Sequence, residues 1–204
     1  MLRSLSFGYS HGLKDEEPPE MVANKTINET LGILKACLKA KTVKRVVYTS
    51  SASAIFVNNY WNKVVVMDES FWSDVDFIRK FKPSGGSYPI SKTLTKKAAL
   101  EFAPKNGLDL VTLIPSIVGE KSEEYMKLLN ASMVHVDDVA MAQIFLLEYP
   151  NATVSRSSLA KVQSFKAPGL SSKKLLESGF KFKYSVEEML DDAIKCCKDK
   201  AYLK

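Results

Sequence analysis

Three runs in a fixed order constrain this chain of 204 residues more than any other feature: VVYTSSASA at 46–54, SYPISKTLTKKAALEFA at 87–103 and DLVTLIPSIVGE at 109–120. The first reads as a strand of β-branched and aromatic residues that ends in serines. The second reads as a helix carrying Tyr88 and Lys92 four apart, closed by Asn106-Gly107, and the third as a strand over Asp109 to Ile114. Strand, helix, strand predicts an α/β fold with a parallel sheet.

The flanking segments extend that pattern. Pro18 and Pro19 precede a helix in which Val22, Ile27, Leu31, Leu34 and Leu38 recur at helical spacing, as expected of a helix packed on a sheet. Val43 to Thr49 has apolar residues at consecutive positions, which predicts a strand buried on both faces. Residues 57–86 read as a long connection with aromatic anchors and one short helix. A further helix is predicted from Val136 to Glu148, with Asp137 and Asp138 in its first turn, where the helix dipole favours acids. Ser171 and Gly179 bracket a short helix, Phe180 to Tyr184 alternates like an exposed strand, and Ser185-Val-Glu-Glu188 is a capping box opening a last helix.

With 46% apolar residues the chain can bury one substantial core, and no apolar run approaches the roughly 18 residues of a membrane span. Residues 1–18 read as an irregular lead-in without a signal-peptide block, with an organelle-targeting leader as the alternative. The expected location is the cytoplasm. On that reading the Asn-x-Ser/Thr triplets at Asn24, Asn28, Asn130 and Asn151 carry no glycan, and Cys37, Cys196 and Cys197 are reduced thiols without metal spacing. The net charge of +6 is scattered, densest at Lys173, Lys174, Lys181 and Lys183, which fits a solvated surface rather than a nucleic-acid face.

The helix with Tyr88 and Lys92 carries chemistry. Residues four apart share a helix face, so the Lys92 ammonium can sit near the Tyr88 phenol. A nearby cation favours the phenolate, lowering a pKa that starts near 10 and making the phenol a usable proton donor to a carbonyl oxygen. A serine at a neighbouring strand end can hold that carbonyl; Ser50 and Ser51 are both placed for it. In a chain rich in Tyr and Lys the spacing alone is a weak signal, and its position after a serine-ended strand strengthens it. His135, at a helix entrance, reads as structural rather than catalytic.

The segments KTVKRVVYTSSASA, MDESFWSDVDFIRKFKPSGGSYPISKTLTKKAALEFA, GLDLVTLIPSIVG, MVHVDDVA and GLSSKKLLESGFKFKYSVEEMLDDAIKCCK resemble the dihydroflavonol-reductase branch of the extended short-chain dehydrogenases, from about Pro19 onward. The resemblance implies a Rossmann-type doubly wound sheet and an NADPH-dependent reductase of a flavonoid-like ketone, with NADH as the other possible cofactor. It implies Ser51 as the serine that polarises the carbonyl, Tyr88 as the proton donor and Lys92 as the residue that tunes Tyr88 and binds the nicotinamide ribose. Pro115, Ser116, Ile117 and Val118 would line the nicotinamide end of the cofactor. The expected division is a lead-in over 1–18, the remaining half of a Rossmann-type domain over 19–148, and a shortened, helical substrate-side segment over 149–204.

The chain also departs from the family pattern. It has no glycine-rich turn to meet a pyrophosphate, its stretches from Gly119 to Met133 and over 149–168 are short, and Gly85-Gly86 stands where relatives carry an aromatic residue. Cofactor grip and substrate pocket are therefore expected to be impaired. Loss of the first strands of such a sheet would leave the Val43–Thr49 strand at its edge, predicting poor solubility, self-association, or pairing with a full-length relative. The alternative reading is a non-catalytic interaction protein derived from such a reductase.

Overall fold

The computed structural model describes residues 3–6, 17–59, 66–81, 85–119, 133–149 and 169–185, with 188–189, 191–192 and 195 in the last helix. Its centre is a parallel three-stranded sheet made of β1 (Arg3–Ser6), β2 (Val46–Thr49) and β4 (Leu110–Leu113), in the order β1-β2-β4. Between these strands run α1 (Pro19–Ala40), a 3-10 turn (Ala52–Ala54), β3 (Val66–Met67), α2 (Val75–Phe81) and α3 (Ser87–Lys105). Then follow β5 (Ile117–Gly119), β6 (Met133–His135), α4 (Val136–Glu148), β7 (Gly169–Leu170) and α5 (Lys173–Glu177).

Helices cover both faces of the sheet. Val46 and Tyr48 of β2 and Leu110 of β4 point into one core with Leu34 and Cys37 of α1 and Ala99 and Ala103 of α3. Val47, Val111 and Leu113 point the other way, into a core with Ala142 and Leu146 of α4, Leu175 of α5 and Phe180. All four residues of β2 and of β4 are buried, which is why both strands are apolar at consecutive positions. Fold class and order agree with a partial Rossmann-type doubly wound sheet.

Two expectations about the first half need correction. Residues 3–6 are a strand, not irregular lead-in, and they pair in parallel with β2 from Arg3 opposite Val46 to Ser6 opposite Thr49. β2 is consequently central, and the expected exposed edge at Val43–Thr49 does not exist. Arg3-Ser-Leu-Ser6 contains no β-branched or aromatic residue, so its strand character comes from the partner it meets rather than from local preference. In α1 the buried stripe is Val22, Ala23, Thr26, Thr30, Leu34 and Cys37, with Ile27, Leu31 and Leu38 only half-buried. The stripe is rotated because α3 offers hydroxyls: Thr26 Oγ1 lies 2.7 Å from Ser91 Oγ and accepts from Thr95 Oγ1 at 3.1 Å.

The C-terminal part packs onto the same sheet. Phe180 joins the second core and β7 pairs in parallel with β3. Phe180 to Tyr184 alternates in burial as predicted but is not a strand. Its Lys183 and Tyr184 amides donate instead to the buried Asp138 carboxylate on α4, at 2.8 and 3.3 Å. The capping box forms: the Ser185 amide donates to Glu188 Oε2 at 2.7 Å and the Glu188 amide to Ser185 Oγ at 3.1 Å. Among the described residues, no helix is long and apolar enough to cross a membrane. Cys196, Cys197, Asn130, Asn151 and the stretches 120–132 and 150–168 lie outside the described residues.

Candidate active site

Parallel strands that all point the same way bring their C-terminal ends, and the loops after them, to one rim of the sheet. The Ser50 amide donates to Leu113 O at 2.8 Å and the Ala52 amide to Pro115 O at 2.9 Å. The serine turn after β2 therefore runs beside Pro115-Ser116 after β4. Ser51 is half-buried and extended, with φ −154 and ψ 151, and it caps the 3-10 turn. Its Oγ accepts from the Ser53 amide at 3.2 Å and from the Ser53 hydroxyl at 3.0 Å. Ser50 lies beneath it, 4% exposed.

The 3-10 turn packs against α3, which starts at the Gly85-Gly86 turn. Gly85 has a φ of 75°, the left-handed region that a side chain disfavours, whereas Gly86, directly before Ser87, has an ordinary φ of −61°. Tyr88 is half-buried in the first turn of α3, and Lys92 is buried one turn on with Nζ 5.6 Å from the Tyr88 ring centroid. Burial pushes the Lys92 ammonium down to about 8. Tyr88 is close enough to the buried Tyr48 of β2 that burial, and then the Tyr88 phenol, push the Tyr48 hydroxyl well above its ordinary range. The structure thus sets Ser51 beside Pro115 and Ser116, and packs the serine turn on the helix that carries Tyr88 and Lys92. Ile117 and Val118 belong to β5, which pairs with β6, and their side chains lie outside the described residues.

This arrangement of elements can be compared with known proteins. The model of the 3-beta hydroxysteroid dehydrogenase/isomerase family matches residues 9–145. The chain belongs to that family. Vestitone reductase of Medicago sativa is 42% identical over 234 aligned residues, covering 92% of this chain and 71% of that protein. Dihydroflavonol 4-reductase of Arabidopsis thaliana is 34% identical, covering 93% of this chain and 62% of that protein. The crystal structure of the alfalfa vestitone reductase superposes with a TM-score of 0.79 at 37% identity, covering 99% of this chain and 76% of that one. The chain is a vestitone reductase-like and dihydroflavonol reductase-like member of this family, and it spans between 62% and 76% of the length of these relatives.

For a dinucleotide of this family, the residues present fit the nicotinamide end. Ser50 Oγ and Ser116 Oγ, the latter in a residue 9% exposed, are buried without a hydrogen-bond partner among the described residues. Buried hydroxyls are ordinarily paired, so two orphans on adjacent strand ends mark a place where a polar ligand completes the structure. Lys92 adds a buried cation one α3 turn from Tyr88.

Sequence reasoning missed three further members of the site's surroundings. Ser53 and Ser73 hold the serine turn, as described below. Lys96, one turn beyond Lys92, is 1% exposed, and its Nζ has no hydrogen-bond partner among the described residues but sits 4.2 Å from the centroid of the Trp72 ring. Burial pushes Lys96 down to about 8 as well, and the aromatic face is the attraction that offsets its desolvation. The four-residue step from Lys92 to Lys96 was the available signal. His135 has the structural role expected of it: Nδ1 accepts from the Asp137 amide at 3.2 Å at the start of α4, and the ring stacks on Tyr184 at 3.8 Å.

Proposed function

We propose that this chain is an NADPH-dependent reductase of a flavonoid-like ketone. The carrying observation is Ser51, whose oxygen already accepts two hydrogen bonds beside the helix that bears Tyr88 and Lys92. A hydroxyl has two acceptor sites and one proton, so Ser51 has its proton left to give, and a substrate carbonyl oxygen is the acceptor that such a rim would receive. When bound, the nicotinamide supplies the hydride to the carbonyl carbon.

The chain's own residues do the rest. Ser51 donates to the carbonyl oxygen and draws charge toward it. Tyr88 gives its phenolic proton to that oxygen as the C–H bond forms, leaving an alcohol and a phenolate that takes its next proton from solvent. Lys92 stabilises that phenolate and binds the nicotinamide ribose, and Pro115, Ser116, Ile117 and Val118 line the nicotinamide end. The preference for NADPH and for a flavonoid-like substrate follows the resemblance to the dihydroflavonol-reductase branch. We place the reaction in the cytoplasm.

The test is NADPH consumption with a panel of flavonoid ketones, with product analysis, for the wild-type chain and Tyr88→Phe. Ketone-dependent oxidation of NADPH to an alcohol product, abolished by Tyr88→Phe, supports the proposal. Absence of turnover with a folded chain at saturating cofactor would move the chain to the non-catalytic interaction protein.

A further inference from the structure

The serine turn is held by a network of hydrogen bonds that runs in both directions between two segments. Val57 N–H, which can only donate, gives to Ser73 Oγ at 2.9 Å, and Ser73 Oγ in turn donates to the Ser53 carbonyl at 2.7 Å. The Ser73 amide donates to Ala54 O at 3.0 Å and the Asp74 amide to Val57 O at 2.8 Å, so the segments around 53–57 and 73–74 are tied together. Asn58 Nδ2 adds bonds to Ile55 O at 3.1 Å and Trp72 O at 3.3 Å. Buried inside this double loop, Ser53 directs both its amide and its hydroxyl at Ser51 Oγ.

A lone hydroxyl at a strand end is an ambiguous group, because it rotates freely and can accept as readily as donate. A serine that accepts from the substrate or turns back onto its own loop does nothing for a carbonyl. Two donors aimed at its oxygen remove that freedom before any substrate arrives, which is the preorganisation that makes a hydrogen bond useful in a transition state.

We propose that Ser53 is a positioning residue for the reduction, one that fixes Ser51 as a hydrogen-bond donor toward the substrate carbonyl, with Ser73 holding Ser53 in place. The inference rests on the reductase reading above. It acts through Ser51 and requires no contact between Ser53 and substrate.

The test reads the direction of these bonds without needing turnover. A thiol in place of the Ser51 hydroxyl becomes a thiolate more readily when two donors point at it, since hydrogen bonding to the charged form favours that form. The Ser51→Cys chain is alkylated with iodoacetamide across a pH series, and modification of the peptide containing position 51 is followed by mass, which separates it from Cys37, Cys196 and Cys197. The same series is run with Ser53→Ala, Ser53→Thr and Ser73→Ala added, each shown to be folded by thermal unfolding.

Removing the Ser53 hydroxyl is expected to raise the alkylation midpoint by about one pH unit. Ser53→Thr restores the low midpoint, and Ser73→Ala raises it by less. Lys92, Lys96 and Tyr88 on α3, Tyr48 on β2 and Asp74 on the neighbouring loop also bear on that thiol, but they are common to every variant, so the difference belongs to Ser53. A midpoint unchanged by both Ser53→Ala and Ser73→Ala overturns the proposal, as does a Ser53→Thr midpoint matching that of Ser53→Ala. If Ser53→Ala does not fold, Ser73→Ala decides alone. Failure of the reductase reading shows separately, as absence of NADPH binding by the wild-type chain.

Discussion

The two faces of the sheet are packed by different chemistry. Between the sheet and α4 and α5 the core is aliphatic and aromatic: Val47, Val111, Leu113, Ala142, Leu146, Leu175 and Phe180. On the α3 side an apolar core is also present, but α3 itself buries Ser91, Lys92, Thr93, Thr95 and Lys96 alongside Thr26 and Thr30 of α1. Buried polar groups do less for stability than apolar ones of the same size, and a buried ammonium opposes it. The face that holds the proposed reactive residues is therefore the less stabilising one, and the α4 face supplies more of the apolar burial.

Paired substitutions can break that comparison. On the reactive face, Tyr88→Phe is expected to lower kcat by about 10²–10⁴-fold, the ordinary contribution of a positioned proton donor. It should leave the unfolding midpoint in denaturant where it was. On the opposite face, Phe180→Ala is expected to lower stability by about 3–5 kcal/mol, measured by denaturant unfolding, while the folded fraction keeps its affinity for NADPH. A Phe180→Ala chain that stayed fully stable, or a Tyr88→Phe chain that unfolded, would show that the division between faces is wrong.

A smaller effect is expected at Lys96. Lys96→Met removes a buried ammonium without a hydrogen-bond partner among the described residues and keeps an unbranched chain against Trp72, so it should raise stability by roughly 1–3 kcal/mol. Destabilisation by Lys96→Met would mean that the contact with Trp72 outweighs the cost of burial.

The pH dependence is subtler still. Burial holds Lys92 and Lys96 at about 8, below the ordinary lysine value near 10.4 that they regain on unfolding. Below about pH 8 both states carry the protons and the burial penalty is fully felt. From there to about 10.4 the folded chain gives up protons that the unfolded chain keeps, so stability rises across that window. Tyr48 has the opposite sign: raised when folded, it keeps a proton that the unfolded chain loses above about pH 10, and stability falls there. Urea midpoints measured from pH 7 to 10 should climb, and Lys96→Met should flatten the climb.

Much of this was legible in the sequence where local preference and tertiary context agree. The helix Val136–Glu148, the strand before Pro115, the stop at Asn106-Gly107 and the capping box at Ser185 are all set by residues within a turn of the feature they define. What was not legible depends on partners distant in the chain. Arg3–Ser6 becomes a strand because β2 offers it a ladder, and Phe180–Tyr184 loses its strand because Asp138 takes its amides. In the proposed site, Tyr88 and Lys92 were picked out by their spacing together with their place after a serine-ended strand. Ser53, Ser73 and Lys96 were not, because a serine or a lysine acquires its role here from burial and from the direction of hydrogen bonds, neither of which a sequence pattern records.

The central claim is that this chain builds the nicotinamide end of a cofactor site. The direct measurement is a fluorescence titration of the purified chain with NADPH, with Lys92→Ala alongside and folding verified by circular dichroism. Saturable binding that Lys92→Ala weakens is the predicted result. No binding at millimolar NADPH by a folded chain, or binding indifferent to Lys92, would contradict it.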